Sequence, residues 1–306
     1  MAFTNNMSTT TELDNHILTA MDVEFIISAE NTMTKGLPSL ATIKRDGQAK
    51  SFEFTIYSKL TRQTTALTEE DDVTSEQMSD SSVTITPAEY GNAVTTTKLV
   101  NLQSGGVPDL AAARLVSANM SESMENLMVI RGEAGTNELI VGQTAESSIT
   151  ASDVLTHAYI KRAYNKLKRA GIPGPYYAVA HNDVIYDIQN ATGTQGWTEI
   201  MNYADPEQIL ENEIGMFGGF RWIDSPFVTV NTDAGSGSVD TYHTQFFGFN
   251  AFGYAESQAP DLVISGPFDK LKRFVNIGWF GVYEFGLIDS NAHWIVTSAS
   301  SIGSNS

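Results

Sequence analysis

The sequence predicts an α+β protein, and three observations support this class. Alternating apolar residues over 51–60 predict a strand, and two further β-prone stretches follow it after a long polar connection. Residues 107–131 carry one long apolar stripe at helical spacing. The chain then passes through a mixed middle and closes on an aromatic, glycine-containing, β-prone segment, 273–289. Runs of strands beside separate helices are typical of α+β architectures.

The composition excludes several classes of protein. The chain has 306 residues, 42% of them hydrophobic, which is enough for a sizeable core. It has no cysteine, so disulfides, thiolate metal sites and thiol nucleophiles are excluded. Its 36 acidic and 18 basic residues give a net charge of −18, which argues against a surface that grips nucleic acid. Most of these acids are explained by solubility.

The sequence shows no sign of a membrane span or of an export signal. No apolar run approaches the length that a spanning helix needs, and the first residues lack a basic region followed by an apolar one. We therefore expect a soluble protein with no membrane partner and no cleaved signal.

The N-terminal region is expected to be an arm. Residues 1–11 are polar, and 12–30 carry a weak helical stripe at i+4 spacing: Leu13, Ile17, Met21 and Phe25. That stripe fits either an ordinary core helix or an arm packed on a neighbouring subunit. The stretch 35–38 contains Gly and Pro and ends it.

A projecting hairpin is predicted next. In 51–60, Phe52, Phe54, Ile56 and Leu60 share one face. Further strands are predicted at 82–86 and 92–97, and the connection 61–81 is far longer than a hairpin turn. Near its centre lie consecutive acids without any base, namely Glu69, Glu70, Asp71 and Asp72.

A long helix is predicted over 107–131. Pro108 suits the first helical position, and Asp109 suits the positive end of the helix dipole. The apolar stripe consists of Ala113, Val116, Met120, Met124, Leu127 and Met128. Methionine fills irregular gaps in cores, so the stripe predicts packing and requires no cofactor.

Another helix is predicted from Ser152 and Asp153, which have good N-cap chemistry, to Ala170, with Gly171 as its stop. Its second half holds a cluster of bases: Lys161, Arg162, Lys166, Lys168 and Arg169. Cations complement the C-terminal end of a helix dipole, which is one explanation. The other is a docking patch for an acidic segment.

Strands and turns are predicted for most of the remaining chain. We expect strands at 176–180, 220–223 and 245–253, a helix from Asn182, and two or three strands within 261–299. Glycines 278, 281 and 286 predict bends in long curved strands. The tail from Ser298 is expected to fray.

A search for chemistry finds no site. The five histidines show no i+3 or i+4 pairing, and the run 235–238 lacks the lysine of a phosphate-binding loop. No Gly-x-Ser-x-Gly elbow occurs between a strand and a helix. The sequence therefore predicts no enzyme, no catalytic residue, no cofactor and no metal site.

The order of these parts resembles the Hong Kong 97-like fold of the major capsid proteins of tailed phages. Val83–Val94 and Asn212–Ser225 are similar to segments of the coat-protein family named after coliphage N-four, through their glycine and aromatic spacing. The resemblance implies an N-terminal arm (1–45), an extended β-hairpin loop (46–100), a P domain with a spine helix (101–145) and an A domain (146–254). It further implies that 255–306 holds the return strands of the P domain and the C-terminal tail.

The resemblance also implies a function. It predicts a major capsid protein that assembles with itself, as hexamers and pentamers, into the icosahedral shell of a double-stranded DNA bacteriophage. The DNA would be enclosed without sequence-specific binding, and the protein would be assembled in the host cytoplasm and located in the virion. Scaffolding, portal and decoration proteins are further expected partners. Two alternatives stay open: an encapsulin-type nanocompartment shell, and a polysaccharide-active enzyme or adhesin.

The charges suggest where subunits meet. We expect the acidic tip, Glu69, Glu70, Asp71 and Asp72, to lie over an adjacent subunit. Its partners would be basic residues of that subunit: Lys161, Arg162, Lys270, Lys272 or Arg273.

Overall fold

Three β-sheets and four α-helices make up the part of the chain that the computed structural model describes, residues 42–302 without 68, 70, 71, 74, 105, 106, 192–212 and 268. The helices are α1 (Lys98–Ser104), α2 (Val107–Gly132), α3 (His157–Ala170) and α4 (Asn182–Asn190). The first eight strands are β1 (Thr42–Asp46), β2 (Phe52–Tyr57), β3 (Asp80–Ile85), β4 (Ala88–Thr97), β5 (Glu138–Ile140), β6 (Tyr177–Ala180), β7 (Glu213–Phe217) and β8 (Phe220–Asp224). The others are β9 (Val230–Asn231), β10 (Thr241–Phe247), β11 (Phe252–Ser265), β12 (Phe274–Leu287) and β13 (His293–Ser298). The predicted N-terminal helix over 12–30 lies outside the described residues.

The long strands form a four-stranded sheet in the order β1-β11-β12-β4. Strand β1 is parallel to β11, and the other pairs are antiparallel. Helix α2 packs against β12, the strand that most of the closing segment 273–289 forms. The predicted stripe is buried at Ala113, Val116, Met120, Met124 and Met128. The helix thus has one face fixed by apolar burial.

Strands β2 and β3 form the predicted hairpin, with Phe52 opposite Ile85 and Tyr57 opposite Asp80. Its inner face packs on the four-stranded sheet through a small cluster, Phe54, Ile85, Ala255 and Ile288. The alternation along β2 is confirmed, but the strand ends at Tyr57, so Leu60 lies beyond it and is exposed. Strand β4 follows the hairpin and pairs with β12, a pairing over a distance that the sequence alone does not reveal.

The strands from β5 onward, apart from β11 and β12, form a seven-stranded sheet in the order β5-β13-β10-β6-β8-β7, with β9 beside β10. Helices α3 and α4 cover it through a second apolar cluster that includes Ile160, Leu167, Val184 and Phe220. The tight turn Gly218–Gly219, with φ values of 63° and 90°, joins β7 to β8. The chain passes from this sheet to the four-stranded sheet between β10 and β11.

Helix α3 begins at His157, five residues after the predicted start at Ser152. The carboxylate of Asp153 accepts hydrogen bonds from the backbone N–H and the hydroxyl of Thr150, both at 2.8 Å. Asp153 therefore stabilises a turn that precedes the helix and does not cap the helix itself. Val154 forms a bridge to Ala299, which keeps the chain extended there. The predicted end is confirmed, because Gly171 adopts a left-handed φ of 72°.

The prediction that the tail frays from Ser298 is wrong as far as Ile302. Ser298 and Ala299 are fully buried in the seven-stranded sheet. The N–H of Ser301 donates to the carboxylate of Asp187 at 2.9 Å, and the hydroxyl of Ser300 donates to the carbonyl of Asp183 at 3.2 Å. Polar small residues are anchored here because helix α4 offers acceptors that a sequence pattern does not show.

Candidate functional site: an exposed loop and two basic groups

The connection between β2 and β3, which we call the long loop (58–79), is exposed throughout its described residues. The N–H of Ser58 donates to the carbonyl of Ser79 at 2.9 Å and closes its base. Further out, the N–H and the hydroxyl of Thr61 donate to the carboxylate of Glu76, at 3.0 and 2.7 Å. The loop is therefore ordered near its base mainly by hydrogen bonds between its own polar groups.

Four large apolar side chains of the long loop have no cover in the isolated chain: Leu60, Leu67, Val73 and Met78, which are 59%, 66%, 55% and 70% exposed. Isolated exposed apolar residues are common on any protein. Here they are concentrated in one segment whose described residues bury no apolar side chain, and such a concentration is typical of interaction surfaces.

The acidic tip is described in part. Glu69 and Asp72 are exposed, and Glu70 and Asp71 lie outside the described residues. Asp72 accepts a hydrogen bond from the N–H of the adjacent Val73 at 2.8 Å. Within the described part of the chain, neither Glu69 nor Asp72 makes an ion pair.

The first basic group lies on helix α3, where all the predicted bases are exposed. Three of them lie over aromatic rings: Arg162 at 4.7 Å from the Tyr159 centroid, Lys166 at 5.0 Å from Trp294, and Lys168 at 5.3 Å from Tyr176. Cation–π contacts hold these side chains along the helix while their charges stay in water. The group is thus a pre-ordered cationic face, and no acidic side chain of the described residues neutralises it.

The second basic group lies in the turn between β11 and β12. Lys270, Lys272 and Arg273 are exposed. Arg273 is engaged within the turn, because its Nε donates to Asp269 Oδ2 at 2.8 Å and its guanidinium lies over Phe274. A backbone hydrogen bond from Arg273, together with its charge, holds the pKa of Asp269 below its usual value. Lys270 and Lys272 are therefore the cations of this turn that remain for a partner.

The two basic groups lie near opposite ends of strand β12. Strand β12, which has 14 residues, starts at the basic turn and spans roughly 45 Å. Its far end leads into the 3-10 turn Ser290–Ala292, which packs against α3. The base of the long loop is at that far end too, where Lys59 Nζ donates to the carbonyl of Gly171 at 3.4 Å. The structure therefore brings the loop base close to α3 and not to the basic turn.

An apolar surface beside the basic turn was not predicted from the sequence. Leu99 and Leu102 of α1 and Leu271 of the turn are 64%, 73% and 71% exposed. The N–H of Lys98 donates to the carbonyl of Arg273 at 2.8 Å and joins α1 to this turn. Helix α1 was not predicted because its seven residues are too few to show a helical period.

The described residues show neither a metal-binding cluster nor a membrane-spanning helix. Within the described ranges, no group of three or more His, Asp or Glu side chains is arranged to hold a metal ion. None of the helices in the described part of the chain has the length and hydropathy that a membrane crossing requires. The clefts along the four-stranded sheet are open and shallow, such as the one lined by Tyr90, Asn92 and Trp279.

Comparison with known proteins gives similarity in structure only. No model of a known protein family matches the chain, and no curated protein matches it in sequence. Among solved structures, the capsid of Ralstonia phage GP4 is similar with a TM-score of 0.70 and 13% identity, covering 85% of this chain and 87% of that one. The head structure of Helicobacter pylori bacteriophage KHP40 is similar with a TM-score of 0.62 and 12% identity, covering 83% and 88%.

A virus-like particle from Pyrococcus furiosus is also similar, with a TM-score of 0.55 and 10% identity, covering 89% of this chain and 97% of that one. Identities this low show the fold alone. The chain has the Hong Kong 97-like fold, and the α+β prediction is confirmed.

Proposed function

We propose that this chain is the major capsid protein of a tailed double-stranded DNA bacteriophage and that copies of it build the icosahedral head. The fold extends over most of the chain and over most of each similar capsid chain, so the support does not rest on one shared motif. In this function the protein binds other copies of itself, in hexamers and pentamers, and encloses the genome. It carries out no catalysis.

One observation carries the proposal: the described residues of the long loop are left exposed by the rest of the chain. The long loop exposes four large apolar side chains, and α1 with the basic turn exposes three more. Neighbouring copies can cover both surfaces. Obligate interfaces bury on the order of 2,000–5,000 Å², and closed symmetry multiplies each contact over the shell. An acidic chain is also suited to enclosing DNA without adhering to it, because like charges repel.

We further propose the division of the chain that the resemblance implies, with an N-terminal arm (1–45), an extended loop (46–100), a spine-helix region (101–145), an A domain (146–254) and return strands (255–306). The pairing of β4 with β12 supports the idea that the extended loop is rooted in the same sheet as the return strands. The virion is the proposed location, with assembly in the host cytoplasm. Scaffolding, portal and decoration proteins are proposed as further partners.

Electron microscopy of the purified full chain tests the proposal. We expect hollow, uniform shells several tens of nanometres wide, or their pentamers and hexamers. Monodisperse monomers under all assembly conditions would contradict it. They would leave room for the adhesin or carbohydrate-active alternative.

A second function on the same fold is less well supported and draws on the similarity to a virus-like particle from Pyrococcus furiosus. This alternative is an encapsulin-type shell that encloses a protein cargo. Particles isolated from the native source distinguish the two. Packaged double-stranded DNA supports the phage head, whereas a co-purifying enzyme without nucleic acid supports the nanocompartment.

The acidic tip is proposed to bind a basic group of an adjacent subunit. The basic turn, with Lys270, Lys272 and Arg273, lies roughly 45 Å along β12 from the end where the same chain's long loop begins, so a neighbour's tip suits it better than its own. The α3 group, with Lys161 and Arg162, lies near the base of the chain's own loop. Single surface ion pairs contribute little, so the effect depends on repetition over many copies.

Charge reversal tests this contact. Replacing Glu69, Glu70, Asp71 and Asp72 with Lys should lower particle yield at low salt, measured by sedimentation, while the subunit stays folded. Glu53→Lys with Glu89→Lys, at exposed acids outside the tip, is the control and should assemble normally. A second reversal, either Lys161→Glu with Arg162→Glu or Lys270→Glu with Lys272→Glu, should restore yield for the group that the tip contacts. Unchanged yield in the tip variant would refute the contact without refuting the shell.

A further inference from the structure

His243 on β10 lies between two carboxylates that belong to different parts of the chain. Its Nδ1 is 2.7 Å from Oε2 of Glu133, which follows the last turn of α2. Its Nε2 is 3.2 Å from Oε1 of Glu146, in the 3-10 turn Glu146–Ser148. The His243 side chain is only 13% exposed. One imidazole thus connects the end of the long helix, a separate turn and the seven-stranded sheet.

The protonation state of the ring decides whether both contacts are favourable. A neutral imidazole has one N–H donor and one lone-pair acceptor, whereas an imidazolium has two donors. Carboxylates only accept. With His243 neutral and Nδ1 donating to Glu133, the Nε2 lone pair can accept from Asn231 Nδ2 at 3.3 Å but offers no donor to Glu146, whereas the doubly protonated ring donates to both Glu133 and Glu146.

The surrounding groups keep both carboxylates in place. Asn231 Nδ2 donates to Glu146 Oε1 at 2.7 Å, and the hydroxyl of Thr241 donates to the same oxygen. Gln245 Nε2 donates to Glu133 Oε1 at 3.0 Å. These donors are neutral. Among the described residues, the only cation that the structure pairs with either carboxylate is His243.

Two other titratable groups lie in the same sheet, one on β13 beside β10 and one on β5, the next strand out. Glu138 of β5 accepts a hydrogen bond from the hydroxyl of Thr297 on β13 at 2.6 Å, which engages it away from the ring. His293 of β13 is fully buried, and burial lowers its pKa to about 4. It therefore stays neutral near pH 7 and does not compete for the carboxylates.

Burial alone would lower the pKa of His243, but the hydrogen bonds and charges of Glu133 and Glu146 outweigh burial and raise it. For Glu146, burial would raise the pKa, but hydrogen bonds from Thr241, Asn231 and His243 outweigh burial and lower it. The His243 contribution to stability is therefore complete below the ordinary histidine pKa of about 6.5 and is lost as the pH rises through the folded-state pKa. The Glu146 contribution is present above its ordinary pKa and is lost as the pH falls through its lowered one.

We propose that His243, Glu133 and Glu146 form a pH-sensitive joint that ties the end of the long helix to the seven-stranded sheet when the imidazole carries both protons. A pH below the titration midpoint of the ring closes the joint, and a pH above that midpoint opens it by removing one of its two donors. The joint belongs to the single subunit and does not depend on shell formation.

The experiment is an NMR titration of the His243 ring in the unassembled full chain, combined with hydrogen exchange of residues 133–146 corrected for intrinsic rates. We expect a titration midpoint above about 6.5. Exchange of this segment should accelerate severalfold as the pH passes that midpoint. In Glu146→Gln the midpoint should fall, because one carboxylate becomes a neutral amide.

Two further variants make the result decisive. His243→Gln keeps a donor and an acceptor but cannot titrate, so its exchange over 133–146 should be independent of pH across the same range. His157→Gln is the control, since His157 lies on α3 and should leave the pH response unchanged. A His243 midpoint at or below about 6.5, or a pH response that survives in His243→Gln, would overturn the proposal.

Discussion

At some positions in the long strands, the close approach of a neighbouring strand leaves room only for glycine. A Cβ atom added to Gly278 would lie 2.7 Å from the Cβ of Ala93 and 2.7 Å from the carbonyl oxygen of Asn92. Real Cβ contacts are not that short, so β4 would have to move away from β12. Glycine at this position therefore lets two strands approach closely, a reason that the sequence-based prediction of a bend did not contain.

Gly278→Ala should lower the free energy of unfolding by about 1–3 kcal/mol, the usual cost of overpacking. Denaturant titration measures the effect. Gly266→Ala is the matched control, because nothing lies within 4 Å of an added Cβ there, and it should be neutral within about 0.5 kcal/mol. Equal stability of the two variants would contradict the close approach.

A partly buried ion pair joins the long helix to two strands. Arg131 donates two hydrogen bonds of 2.9 Å to the carboxylate of Glu284, whose side chain is 9% exposed, and Tyr90 donates a third at 2.9 Å. Burial, followed by the hydrogen bond and charge of Glu284, raises the pKa of Tyr90. The donors from Arg131 and Tyr90 thus replace part of the water that this carboxylate loses on burial.

Arg131→Ala should destabilise the fold by about 1–3 kcal/mol, because it leaves the Glu284 carboxylate with one side-chain donor. The value lies below that for fully buried pairs since the Arg131 side chain is 44% exposed and solvent replaces part of its effect. Thermal unfolding of Arg131→Ala and of the double variant Arg131→Ala with Glu284→Gln measures it. The double variant should recover part of the lost stability. No recovery would argue against an unpaired Glu284 carboxylate as the cause.

Among the elements, helix α2 shows how far a pattern predicts packing. Its apolar stripe predicts the buried face, and Met124 on that face is 1% exposed. Leu115 in the same helix is apolar yet 66% exposed, and it lies outside the stripe. Periodicity thus separates core positions from surface positions even when residue type does not.

Met124→Ala should cost about 2–5 kcal/mol of folding stability through lost burial and a residual cavity. Leu115→Ala, the control in the same helix, should change stability by no more than about 0.5 kcal/mol. Denaturation midpoints of the two variants provide the measurement. If Leu115→Ala were instead the more damaging variant, the assignment of the inner face would be wrong.

Helix α3 shows where a local signal is ambiguous. Asp153 has the chemistry of an N-cap, but a carboxylate can accept N–H groups in a turn as well as at a helix start. The bridge between Val154 and Ala299, 145 positions apart in the sequence, decides between these uses. A local sequence pattern could not predict this bridge. The helix end at Gly171 was predictable, because the left-handed backbone that ends a helix favours glycine whatever lies around it.

For the whole molecule, the long loop is separable from the fold. Tyr57 lies directly opposite Asp80, which is the spacing that a two-residue turn can close. We expect a variant with Asn-Gly in place of residues 58–79 to fold with a melting temperature within a few degrees of the full chain. The reason is that the loop contributes no buried apolar side chain among its described residues.

The same variant should form no shells, as measured by sedimentation and electron microscopy, because neighbouring copies lose the surface that projects between them. A second variant keeps the loop length but replaces its large apolar residues, Leu60, Leu67, Val73 and Met78, with Ser. It tests whether the apolar contacts of the loop matter in addition to its length, and it should also form fewer shells than the full chain. Normal shells from the shortened chain would contradict the role of the loop in assembly and leave the fold untouched.

The sequence by itself determined the elements whose causes are local or periodic. These are the alternation of β2, the stripe of α2, the end of α3 at Gly171 and the order of parts that indicates the Hong Kong 97-like fold. It also showed the charges and the absence of a catalytic motif. Tertiary structure alone decided the pairings over long separations, such as β4 with β12, Arg131 with Glu284, and His243 with Glu133 and Glu146. The physical reason is that these contacts depend on how elements meet in space, and a strand or helix pattern fixes which face turns inward but not which partner it finds.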